Sequence, residues 1–108
     1  MTTPTDNASQ WYPFNGGTTL GTIGSESGTI TRDEEHAAGS RISLERGCSN
    51  APFAITCGIY GRFLHTTRAA SGAEALANYN VMKVRLAELA SRDDDIYDAL
   101  KEFTEQFP

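Results

Sequence analysis

From Phe53 to Arg68 the sequence alternates without a break. Phe53, Ile55, Cys57, Ile59, Gly61, Phe63 and His65 share one parity, and Ala54, Thr56, Gly58, Tyr60, Arg62, Leu64 and Thr66 the other. A period of two puts successive side chains on opposite faces of a strand, one turned to a core and one outward. At ~3.3 Å per residue the ribbon would reach roughly 40–50 Å, whereas strands in small domains usually hold ~3–10 residues. Either a bulge at Gly58 or Gly61 bends it, or its second half leaves the sheet of its own chain and pairs elsewhere.

The other segments must supply its neighbours. Thr18 to Gly24 and Thr29 to His36 flank Ser25-Glu26-Ser27-Gly28 with β-branched residues on both sides, which predicts a hairpin. Ser40 to Arg46 alternates Ile42 and Leu44 with Arg41, Ser43 and Glu45, a half-buried strand. Ser71 with Glu74 three positions on matches a capping box, and a helix follows to about Arg92 with Leu76, Tyr79, Met82, Leu86 and Leu89 on one face. Asp93-Asp94-Asp95 ends it and suits the positive start of a second helix carrying Ile96, Leu100, Phe103 and Phe107. These segments predict an α+β domain over residues 11–108, an antiparallel meander of about four strands with two C-terminal helices packed on one face. Residues 1–10 read as a flexible leader, and Trp11-Tyr12-Pro13-Phe14 as an aromatic plug over the end of the core.

Composition narrows the function classes. With 108 residues there is room for one domain, and a hydrophobic content of 39% is that of a globular chain. Nine Lys and Arg against fourteen Asp and Glu give a net charge of −5, all of it carried by Asp93 to Pro108. That balance argues against nucleic-acid binding, and no apolar run approaches the ~20 residues needed to span a bilayer. Cys48 and Cys57 form no metal-ligand spacing and, in the absence of a secretory segment, are expected reduced in the cytoplasm.

Motifs of known chemistry are absent. The glycine-rich stretch Gly16 to Gly24 lacks the Gly-Lys-Ser/Thr ending of a phosphate loop and does not precede a helix. Gly24-Ser25-Glu26-Ser27-Gly28 has Glu26 where a nucleophile elbow needs serine. No metal or cofactor is expected.

Two functional expectations follow. The first is a non-catalytic interaction or adaptor domain acting as a homodimer, with another protein as a further partner. It rests on the overlong ribbon and on an outward sheet face carrying Thr22, Thr56, Tyr60 and Leu64. The second is a small enzyme or ligand-binding domain. If Ile30 shares the core face with Ile42 and Leu44, alternation sets Arg32, Glu34 and His36 together at the sheet rim, where a carboxylate could orient an imidazole as general base. Tyr60, Arg62, His65 and Arg68 are the candidate ligand-binding residues.

Overall fold

The computed structural model describes residues 10–108; the leader, apart from Gln10, lies outside the described residues. Five strands form one antiparallel sheet in the order β1-β2-β3-β4-β5: β1 (Trp11–Pro13), β2 (Thr29–His36), β3 (Ser40–Arg46), β4 (Phe53–Ile59) and β5 (Phe63–Ala69). Two helices, α1 (Gly72–Ala90) and α2 (Tyr97–Gln106), follow and cover one face. The fold is α+β, with five strands where about four were expected.

The long ribbon is two strands. It folds back at Tyr60-Gly61-Arg62, with Gly61 at φ 76° and the Arg62 N–H donating to the Ile59 carbonyl at 2.9 Å. Ile59 then stands opposite Phe63, Cys57 opposite His65 and Phe53 opposite Ala69. A three-residue loop sets residues of equal parity across from each other, so the alternation passes through the turn without a change of phase. The pairing expected from a second copy is therefore made within the chain.

Two further boundaries move. Residues 18–24 are not a strand; beside the isolated bridge of Ile23 to Thr29 they exchange two backbone bonds with Ile30, Gly21 N–H to its carbonyl at 2.8 Å and its N–H to the Thr22 carbonyl at 2.9 Å, and otherwise run through tight turns with Gly21 at φ 85°. The first strand is instead the expected plug, where Trp11 pairs with His36 and Tyr12 with Glu35. In β2 the register shifts between Ile30 and Arg32. That bulge moves Ile30 to the open face, opposite Glu45, yet leaves Arg32, Glu34 and His36 on the helix side opposite Leu44, Ile42 and Ser40.

Between sheet and helices lie Ile42, Leu44, Ile55, Cys57 and Ile59 against Ala75, Tyr79, Met82, Leu86 and Leu89 of α1, and Ile96, Phe103 and Phe107 around α2. Leu76, expected in that stripe, is 38% exposed, and Ala75 takes its place against the sheet. The capping box is present: Ser71 Oγ accepts from the Glu74 N–H at 3.2 Å, and Glu74 Oε1 accepts from the Ala70 N–H at 3.0 Å. At the second helix Asp95 Oδ1 accepts from the Tyr97 N–H at 2.9 Å. Neither cysteine is bridged, and among the described residues no helix is long and apolar enough to cross a membrane.

Candidate functional site

The rim cluster is assembled as a row but does not act as one. Neighbours on one face of a strand are ~6.6 Å apart, so Arg32 and His36 stand about 13 Å from each other with Glu34 between. Glu34 turns to α1, where Lys83 Nζ donates to both carboxylate oxygens at 2.9 and 2.5 Å. The same ammonium lies 5.5 Å from the Trp11 ring and 5.8 Å from the Tyr79 ring, a cation held over two aromatic faces. His36 is buried, edge-on to Trp11 at 5.1 Å, and its Nδ1 accepts from the Ala38 N–H at 3.0 Å. A backbone N–H can only donate, so that nitrogen's lone pair is spent on the β2–β3 turn. Arg32 is exposed. Lys83 was not singled out from the sequence, although its place between Met82 and Leu86 marks the border of the core face.

The second candidate set is dispersed. Tyr60 donates to Glu35 Oε2 at 2.6 Å from the β4–β5 turn. Arg62 donates to the Arg92 and Asp94 carbonyls, both at 3.1 Å, and so closes the end of α1. His65 faces the helices, where its Nε2 donates to the Phe107 carbonyl at 2.5 Å. Arg68 faces the other way and pairs with Glu26 at 2.8 Å. Arg62, His65 and Arg68 thus serve three different segments and enclose no common anion site. Among the described residues no group of three His, Cys, Asp or Glu could hold a metal ion.

A wide concavity lies on the face away from the helices. It is a groove of about 620 Å³ with Ser43, Thr56 and Gly58 in its floor and Ile23, Tyr60 and Leu64 on its banks. Residues 19–25 form one bank, a strap joined to β2 by the backbone bonds of Gly21 and Thr22 to Ile30 and fastened through side chains at two further points. At one, the buried Glu45 carboxylate accepts from the Glu26 N–H at 3.1 Å and the Gly28 N–H at 3.0 Å. Gly24 has to be a glycine there, because a Cβ would collide with that carboxylate. At the other, Thr19 donates to Asp33 Oδ2 at 2.8 Å. Arg41 holds the same carboxylate through two nitrogens at 2.9 and 2.7 Å and stacks 3.5 Å from the Phe14 ring centre.

Electrostatically the groove is quiet. Burial, with the Glu35 hydrogen bond, pushes the Tyr60 phenol up to about 12, so it stays a neutral phenol whose proton is given to Glu35. Thr56 and Thr66 hydroxyls bond to each other at 3.2 Å, and no histidine or carboxylate reaches Ser43 or Thr56 among the described residues. The surface offers neutral hydrogen-bonding groups and three exposed apolar side chains: Leu64 at 79%, Ile23 at 71% and Tyr60 at 52%. The bulge at Thr31 and the strap that create this groove left no mark on the sequence pattern beyond the glycines of the strap. Comparison of the chain with protein-family models, with curated proteins and with solved structures finds no match.

Proposed function

We propose that this chain is a non-catalytic interaction domain that takes an extended, largely uncharged segment of another protein along β5 and over the open-face groove. The observation that carries this reading is the contrast between the two sheet edges. β1 is three residues long and ends in Pro13, a blunted edge. β5 has seven residues without proline or lysine, and among the described residues no main chain outside the sheet pairs with it. A strand added there would lay alternate side chains over the groove beside Leu64, while its backbone supplied the affinity. The charged groups around the groove, Asp33, Arg41, Glu45 and Arg68, are all engaged within the chain, which suits a neutral segment.

Selection of a displayed peptide library on the wild type and, in parallel, on a Leu64→Lys variant tests this. Peptides of alternating apolar character should be enriched on the wild type alone, and should shift the amide signals of Phe63–Ala69 and Ile23 when titrated into labelled protein. Equal enrichment on both proteins, no enrichment at all, or signals moving elsewhere would refute it. The catalytic alternative at Arg32, Glu34 and His36 gains no support from the Glu34–Lys83 pair or from the engaged Nδ1 of His36.

A further inference from the structure

Helix α1 is apolar on both sides. Opposite the buried Tyr79, Met82 and Leu86 lies an outer stripe of Ala73, Leu76, Ala77, Asn80, Val81 and Val84, all exposed to solvent. Leu76 is 38%, Val81 46% and Val84 49% exposed, and the stripe holds no charged residue until Glu88, one turn beyond Val84, ends it. Two β-branched residues on a solvent-facing helix surface are not there for helix propensity, which disfavours them. Their neighbours Ala73 and Ala77 are small enough to let a second helix approach closely.

We propose that α1 is the self-association surface of this chain, pairing antiparallel with α1 of a second copy across a twofold axis at Asn80. Three features of the stripe fit a copy of itself. Asn80 lies near the midpoint, and a carboxamide is its own complement across a twofold, one N–H₂ donating to the other's carbonyl. A polar residue at the centre of an apolar seam also fixes register. With 80 opposite 80, Leu76 falls opposite Val84 of the second copy, an apolar pair that the twofold makes twice. On one flank Glu74 comes beside the second copy's Arg85, and the symmetry makes that pair twice. Among the described residues Arg85 meets Gln106 at 2.9 Å and Glu88 at 3.8 Å, and Glu74 uses one carboxylate oxygen in its cap, which leaves its other oxygen to a partner.

The size of the contact sets its strength. Nineteen residues make a helix ~28 Å long. One such helix against another buries less than the ~1,200 Å² of a standard interface. A weak, reversible dimer follows, at the low end of specific association.

This inference is independent of the sheet-face reading, and sedimentation equilibrium from about 1 to 500 µM separates them. The wild type should show a monomer–dimer equilibrium. Val84→Glu, checked for native circular dichroism, should weaken it at least about tenfold, with Val81→Ser as the milder variant if Val84→Glu does not fold. Arg85→Glu should weaken it, and Glu74→Lys added to Arg85→Glu should restore it, while Leu64→Lys leaves it unchanged. A wild type that stays monomeric throughout, a dimer indifferent to Val84→Glu and Val81→Ser, a charge swap that fails to restore, or a dimer lost in Leu64→Lys would each overturn the assignment.

Discussion

Replacing Glu45 by alanine should release the strap without dismantling the sheet. Glu45 is 1% exposed, and its carboxylate holds the Glu26 and Gly28 N–H groups at 3.1 and 3.0 Å. Hydrogen bonds to a charged group contribute ~1.5–3 kcal/mol each, which bounds the loss at about 3–6 kcal/mol. Water reaching Glu26, which is half-buried, recovers part of one bond, while the buried Gly28 recovers less. The net cost comes to about 2–4 kcal/mol. With a urea slope of ~2 kcal/mol per molar, the middle of the usual range, the unfolding midpoint should fall by roughly 1–2 M. Amide exchange gives the sharper view. Glu26 and Gly28 should lose protection first, because their N–H groups bond to the Glu45 carboxylate itself, whereas Gly21 and Ile30 keep their backbone bonds to the Ile30 and Thr22 carbonyls at 2.8 and 2.9 Å. A loss below about 0.5 kcal/mol, or Glu26 and Gly28 amides that keep their protection, would refute the claim that this carboxylate fastens the strap.

Other consequences can be checked alongside. Asp33→Ala removes a fully buried carboxylate that ties Arg41 and Thr19 to β2. Because Arg41 is more than a third exposed and its charge is screened, the loss should be about 2–3 kcal/mol by denaturant unfolding, and Phe14 should gain mobility in relaxation measurements. Burial pushes the Cys57 thiol up to about 12, so a thiol reagent near neutral pH should label Cys48 in the native protein and Cys57 only on unfolding. For Cys57 and Tyr60 the folded state binds the proton more tightly than the unfolded chain, where the values are 9.0 and 10.0. Their contribution to stability is therefore complete below about 9 and is lost as the pH climbs toward about 12, measured as a falling melting temperature over that window.

Patterns of local origin were legible in the chain. The capping box at Ser71 and Glu74, the β3 alternation and the apolar face of α1 depend on neighbours within a few residues, and all three are present. What failed depended on features that periodicity does not register. Gly61 turns the ribbon, but an odd loop keeps parity, so Phe53 to Arg68 reads alike whether straight or folded. The bulge at Thr31 moves Ile30 to the other face and leaves Arg32, Glu34 and His36 where alternation put them, so a wrong premise led to a right placement. The partners of those residues could not be read at all. Glu34 meets Lys83 from forty-nine positions away, and His65 meets Phe107 from forty-two. Val81 and Val84 were visible as valines, but only a helix already seated on its sheet shows them to face outward.

The two surfaces lie on opposite sides of the molecule, and that has a consequence for binding. α1 covers one face of the sheet and the groove occupies the other, so copies joined through α1 keep both grooves open and pointing away from each other. A dimer of this kind binds two segments without either blocking the other. On a dense surface of immobilised peptide, the second engagement occurs at the effective concentration set by the first, and avidity can exceed single-site affinity by ~10²-fold or more. Val84→Glu should then abolish the slow dissociation from a dense surface while leaving affinity for the free peptide unchanged, and Leu64→Lys should lose both. The two surfaces are linked only if the grooves face outward. A Val84→Glu protein that dissociates from the dense surface as slowly as the wild type would show that they do not act together.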